Sequence, residues 1–249
     1  MNLDNISIVL VEPQGAGNIG SVCRAMMNFG FSDLRLVNPA ADPGADEARR
    51  MAMKAAGLLD GASLFDSLSA ALADCHFSLA TTRRLGKYRR DYHHPDEAAE
   101  KYLPLSTVGR VALVFGREDS GLSTADLRIC QGFITIPTRD ELPSMNLAQA
   151  VSLCLYEADR AARQGEGVAP RRKPLATGER LARMYGHMRR TLLNIGYLDG
   201  SSPEHGLQNY RRIFGRAGLD DREVGLIHGL LTRIDRAIEK AEMPVDNPR

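Results

Sequence analysis

Short apolar runs, each about one strand long and each followed by a stretch with helical spacing, recur over the first two thirds of the chain. Ile6-Ser7-Ile8-Val9-Leu10-Val11, Leu34-Arg35-Leu36-Val37, Phe77 to Ala80, Val111 to Phe115 and Gly132 to Ile136 read as strands. Gly20 to Phe29, Ala45 to Ala56, Ser67 to Ala73, Ser123 to Ile129 and Leu147 to Ala162 read as helices between them. A helix after each strand carries the chain back across the sheet, so the strands run parallel with both faces covered. The expectation is an α/β domain over residues 1 to 160.

The character changes beyond it. From Arg160 to Arg190 there are nine Arg or Lys against two Glu, and Gly165, Gly167, Pro170 and Pro174 interrupt any regular element. Residues 161–178 read as a basic linker and 179–249 as a helical domain. Helices are expected to begin near Thr177, near Pro203 and at Asp220-Asp221-Arg222-Glu223, a capped start. Val224, Ile227, Leu231, Ile234 and Ile238 repeat at steps of three and four, giving one apolar stripe, read as core or else as a subunit contact.

Composition narrows the class. With 43% hydrophobic and 25% charged residues, the chain has the balance of a soluble globular protein, and its net charge of +1 points to no partner by itself. Its cations are 27 Arg against 5 Lys. Arg offers a flat bidentate fork suited to phosphate and to base stacking, with genomic base composition as the alternative source of the bias. Cys23, Cys75, Cys130 and Cys154 are widely spaced without a paired motif, which suits buried, reduced thiols in a cytoplasmic protein. No apolar run approaches membrane-spanning length, and the six histidines show no metal-ligand spacing, so neither a membrane nor a metal is expected.

Gly15-Ala16-Gly17-Asn18-Ile19-Gly20 matches the G-x-G-x-x-G string of dinucleotide-binding folds. Its context does not. Glu12-Pro13-Gln14 separate the strand from the first glycine, and the second strand ends in Val37-Asn38-Pro39 with no carboxylate to hold a ribose. A nicotinamide or flavin oxidoreductase is thereby disfavoured. The same stretch, read as Asn18-x-Gly20-Ser21-x-x-Arg24, puts an amide and a guanidinium three or more residues apart, a spacing from which both can face one cavity. Phe115-Gly116-Arg117-Glu118 and Thr81-Thr82-Arg83 each follow a strand, and Pro143-Ser144-Met145-Asn146 precedes a helix. In parallel sheets ligands gather outside the carboxyl ends of strands, so these loops can line one pocket.

These segments resemble the three ordered motifs of the SPOUT RNA methyltransferases, in their ribose-methylating TrmH/SpoU branch. The second motif runs from Val111 to Leu122 and the third from Ile134 through Pro143 to Ala148. The resemblance covers residues 1 to 160, and the amino-terminal run with the helical extension around Tyr185-Gly186-His187 and Leu192-Leu193 is similar to the TrmJ-type subgroup. It implies an α/β-knot fold, a trefoil knot in a mostly parallel sheet, followed by a small helical domain. It implies S-adenosylmethionine as cofactor, a homodimer, and 2'-O-methylation of a pyrimidine ribose in tRNA, at position 32 of the anticodon loop. Ribosomal RNA as the substrate, or RNA binding without catalysis, are the alternatives. By the same resemblance Thr81, Thr82, Arg83, Gly116, Ile136, Pro143, Ser144 and Met145 would hold the adenosine. Arg24 would act on the 2'-hydroxyl as base or electrostatic stabiliser, with Asn18, Glu118, Ser144 and Asn146 orienting the groups. The basic run from Arg83 to Arg90, with Tyr88 inside it, offers contacts to single-stranded RNA.

Overall fold

The computed structural model describes residues 1–83, 92–164, 174–199 and 202–242, and the chain forms two units, Met1–Lys173 and Pro174–Arg249. In the first, strands β1 (Ile6–Val11), β2 (Asp33–Val37), β3 (Ser63–Phe65), β4 (Cys75–Thr81), β5 (Tyr92–His93), β6 (Arg110–Phe115) and β7 (Gly132–Ile134) form one sheet in the order β3-β2-β1-β6-β4-β7-β5. Every pairing is parallel. Helices α1 (Ala16–Phe29), α5 (Pro95–Lys101) and α7 (Leu147–Gln164) cover one face, where Ile8, Leu10, Leu79, Leu113 and Phe115 meet Ile19, Met26, Ala98 and Val151. Helices α4 (Leu68–Ala71) and α6 (Thr124–Ile129) cover the other over Val9, Val11, Ala80 and Val114. Alternate residues of one strand therefore feed two cores, which is why β1 is buried along its whole length.

The elements depart from the sequence reading in instructive ways. Helix α1 begins at Ala16, not Gly20, so the glycine string is helix and not loop. Gly20 allows its close approach to α2 (Asp46–Ala52), since a Cβ there would lie 2.1 Å from the Ala48 carbonyl oxygen. The helix expected from Ala45 to Ala56 breaks at Met53, which sits at φ 52°, and resumes as α3 (Ala56–Asp60). Strand β7 stops at Ile134, leaving Ile136 in the following loop. At the amino ends of the strands Arg35, only 6% exposed, is held by Asp33, Asp74 and the Ala71 carbonyl. Burial disfavours its charge, but the hydrogen bonds to Asp74 and Asp33 outweigh it and raise its pKa.

The second unit contains α8 (Gly178–Asn194), α9 (Pro203–Ala217) and α10 (Asp221–Glu242). Thr177 caps α8, and Asp220 with Glu223 forms a reciprocal cap at the start of α10. Its core joins Leu181, Met184, Tyr185, Met188, Leu207, Val224 and Leu231, with Ile227 packed against it, so the first half of the α10 stripe faces inward. His187 ties α8 to α10 through His228 at 3.0 Å and Asp235 at 2.8 Å. Residues 165–173 of the basic linker, and Arg84 to Arg90 of the other basic run, lie outside the described residues. No helix among the described residues is long and apolar enough to cross a membrane, and no group of three or more His, Cys, Asp or Glu among them is placed to hold a metal ion. The four cysteines are buried and free, their thiols pushed up to about 12 by burial.

Candidate active site

From β1 the chain crosses through α1 to β2 on one side, while from β6 it crosses through α6 to β7 on the other. The carboxyl ends of these two neighbouring strands are thus a topological switch point, where open parallel sheets leave a crevice. The loops after β4, β6 and β7 enclose a cavity of about 260 Å³ there.

The loop after β6 turns back sharply, with Arg117 and Gly121 bridged across it. A Cβ on Gly116 would lie 2.2 Å from the Leu122 nitrogen, so only glycine fits while the loop keeps this shape. Glu118, next in line, reaches the amino end of α1. Its Oε2 accepts from the Gln14 amide at 2.8 Å, and its Oε1 from the Gly15 amide at 3.0 Å and from Asn18 Nδ2 at 2.8 Å. Amides at a helix start attract an anion, and here the chain supplies that anion itself. A dinucleotide pyrophosphate would need the ground that Glu118 occupies, which disposes of the reading of the glycine string as a phosphate cradle.

Further bonds lock the two loops. Asn18 Oδ1 accepts from Asn146 Nδ2 at 3.0 Å, while Asn146 Oδ1 accepts from the Ala148 and Gln149 amides. Asn146 therefore caps α7. Arg117 donates to Glu12 at 2.7 Å and to Asp119 at 3.1 Å, and Gln14 Nε2 donates to Asp119 at 3.0 Å. Glu12 takes a left-handed φ of 49° just before Pro13 to make this contact. Burial tends to raise the Glu118 carboxyl, but its hydrogen bonds from Asn18, Gln14 and Gly15 prevail and lower it. Bonds from Arg117, Ser120 and Gln14 lower Asp119 further.

All eight residues named for adenosine binding, Thr81, Thr82, Arg83, Gly116, Ile136, Pro143, Ser144 and Met145, line the cavity. Glu118 and Ser144 also line it, and Asn18 and Asn146 connect to it through Glu118. Arg24 does not line it. Arg24 lies six positions beyond Asn18, which sets them about 120° apart around α1, so the two do not share a face. Arg24 is exposed, with no hydrogen bond or ion pair among the described residues. The sequence reading missed Gln14, Arg117 and Asp119 as parts of the site; the last two flank Glu118 in its motif, whereas nothing in the sequence singles out Gln14.

The cavity's chemistry fits S-adenosylmethionine. Phe115, Leu122, Ile134, Ile136 and Met145 offer apolar walls for a flat purine, Thr81, Thr82 and Ser144 offer polar edges, and the ionised Glu118 and Asp119 suit a sulfonium cation.

A family model described as the SpoU rRNA Methylase family matches residues 5–156. The chain belongs to the SpoU methylase family. Its second unit matches the C-terminal domain of tRNA methyltransferase TrmJ over residues 179–243. SpoU methylases are S-adenosylmethionine-dependent RNA methyltransferases with the α/β-knot fold, and this chain is one of them. It is 38% identical over 245 residues to the tRNA (cytidine/uridine/adenosine-2'-O-)-methyltransferase TrmJ of Pseudomonas aeruginosa, covering 94% of this chain and 95% of that protein. The crystal structure of TrmJ from Z. mobilis superposes with a TM-score of 0.77 and 33% identity, covering 92% of this chain and 98% of that one. A structure described in terms of 2-OH methylation of C/U34 on tRNA aligns at 25% identity with a TM-score of 0.52, covering 64% of this chain and 97% of that one.

Proposed function

We propose that the protein methylates the ribose 2'-hydroxyl of a pyrimidine in tRNA, at position 32 of the anticodon loop. The observation that carries this reading is the cavity in which the loops after β4, β6 and β7 meet, beside the Glu118, Asn18 and Asn146 chain. The C-terminal unit favours tRNA over ribosomal RNA, because it matches the TrmJ domain. Ile136 and Met145 would supply the apolar contacts to the adenine, and main-chain groups of the three loops would hold its polar edge. Thr81, Thr82, Arg83, Gly116, Pro143 and Ser144 complete the adenosine pocket.

When bound, S-adenosylmethionine supplies an electrophilic methyl group. The chain's own task is to orient the hydroxyl and to favour loss of its proton to solvent. Arg24 stabilises the developing alkoxide; a guanidinium stays protonated in proteins, so electrostatic assistance suits it better than proton abstraction. Glu118, held by Gln14, Gly15 and Asn18, fixes the loop that faces the hydroxyl, and Ser144 and Asn146 orient the reacting groups from the start of α7.

Because Arg24 is exposed and outside the cavity lining, it serves this chemistry from a second copy of the chain in a homodimer. Exposed Met27 on α1 and exposed Leu153 and Tyr156 on the neighbouring α7 supply apolar surface for that pairing. A tRNA substrate suits a cytoplasmic protein. The test is transfer of labelled methyl to unmodified total tRNA, mapped by nuclease digestion and mass spectrometry. Label on the ribose at position 32 is expected, and label confined to ribosomal RNA would overturn the reading. Mixing Arg24→Ala with Gly116→Ala, each inactive alone, is expected to restore transfer if Arg24 crosses between subunits; no recovery would reject the shared site.

A further inference from the structure

Helix α9 carries Arg211, whose guanidinium lies 4.5 Å from the centroid of the Tyr185 ring on α8. Arg211 is half-buried, and it makes no hydrogen bond or ion pair among the described residues. The carboxylate near it, Glu204, is taken by Arg189 at 3.0 Å. Burial accordingly lowers the Arg211 pKa, the reverse of what a well-paired arginine shows. A cation partly withdrawn from water without a paired anion is a cost to the fold, and the Tyr185 ring face offsets only part of it. Such a cost is expected where a ligand supplies the missing charge.

The surroundings suggest what kind of ligand. Phe214 stacks on Tyr185 with centroids 6.4 Å apart, Tyr210 follows at 6.1 Å, and Tyr197 lies 6.4 Å beyond it and is 63% exposed. A row of rings running from a vacant guanidinium to an open tyrosine face matches the needs of unpaired RNA, whose phosphates seek a cationic fork and whose bases seek a stacking surface.

We infer that Arg211, braced on Tyr185, holds a backbone phosphate of the RNA substrate, and that the exposed Tyr197 ring receives an unpaired base of the same RNA. The inference rests on the proposed tRNA reading and adds to it a contact in the second unit.

The test uses the full chain with Arg211→Met, which keeps the stem and removes the charge, and with Tyr197→Ala. Binding of an unmodified tRNA transcript is expected to weaken about tenfold for Arg211→Met, as for loss of one charge-assisted hydrogen bond. Its dependence on salt should become shallower by roughly one phosphate contact. Its thermal midpoint should stay level or rise, because an uncompensated charge has gone. Tyr197→Ala should weaken binding with no change in salt dependence. An unchanged tRNA affinity and salt slope for Arg211→Met would overturn the inference while leaving the tRNA reading intact, and so would a midpoint several degrees lower, the mark of a purely structural cation. If the unsubstituted protein neither binds nor methylates tRNA, the underlying reading falls and this inference with it.

Discussion

Arg35 in the first unit is buried and Arg211 in the second half-buried, and the chain treats their charges in opposite ways. Arg35 is surrounded by Asp33, Asp74 and the Ala71 carbonyl, so its charge is satisfied from within. Arg211 has an aromatic face beneath it and, among the described residues, no carboxylate paired with it, since nearby Glu204 is taken by Arg189. Glu118 follows the Arg35 pattern: its carboxylate is met by two backbone amides and one side-chain amide. The contrast separates two uses of buried charge. Groups saturated by the chain fix its shape, and groups left wanting are available to something else.

The strongest way to break this comparison is at Arg35. Arg35→Met removes one of the two cations that face Asp33 and Asp74, the other being Arg110, and is expected to destabilise the first unit by about 2–4 kcal/mol through the loss of several charge-assisted hydrogen bonds. Denaturant unfolding measures it; a loss below about 1 kcal/mol would put Arg35 in the same class as Arg211. Arg211→Met, by contrast, is expected to cost nothing.

Glu118→Gln comes next. Gln keeps the shape but gives up the charge and one acceptor, so stability should fall by about 1–3 kcal/mol and methyl transfer should fall with it. The difference from the unsubstituted protein should depend on pH in a defined sense. The Glu118 carboxyl is lowered from 4.5 in the folded chain, so its contribution is fully present above 4.5 and is lost as pH falls through the folded value. Unfolding midpoints of the two proteins should therefore converge on acidification; a constant gap would mean that Glu118 acts through shape alone.

Tyr185→Phe should have the smallest effect. The Tyr185 hydroxyl is buried with no hydrogen-bond partner among the described residues, so removing it is expected to leave stability unchanged or raise it by up to about 1 kcal/mol. The ring beneath Arg211 remains, and tRNA binding should hold. A marked loss of stability would reveal a partner for the hydroxyl.

The sequence carried the frame of the molecule because that frame rests on local signals. Apolar runs long enough to show themselves became β1, β2, β4 and β6, and the capped starts at Thr177 and Asp220 lie where the side chains indicate. Strands β3 and β5, three and two residues long, are too short for any periodicity to show. Helix α5 carries a local signal, with Pro95 in its first turn and a His94–Glu97 capping box, but at seven residues it is too short for a clear periodicity. The break at Met53 has no glycine or proline to announce it. The start of α1 was hidden for another reason: glycines read as loop, and the carboxylate that secures this helix end comes from Glu118, about a hundred residues away in sequence.

At the site, the residues of the second and third motifs and of the Thr81 to Arg83 loop converge on one cavity because their loops leave the same edge of the sheet. Long-range partners such as Gln14 with Asp119 arise from tertiary folding alone and leave no trace in spacing. Spacing also misled in one place, since Asn18 and Arg24 share a helix but not a face.

Arg24 brings the contrast to the chemistry. It is exposed and unpaired among the described residues, and the account assigns it to the reacting hydroxyl. The most direct measurement is methyl transfer to unmodified tRNA by Arg24→Ala, with S-adenosylmethionine binding followed in parallel by calorimetry. The account predicts unchanged cofactor binding and a loss of transfer of about 100-fold or more, the scale for removing one group that stabilises a developing oxyanion. Full methylation by Arg24→Ala would contradict it.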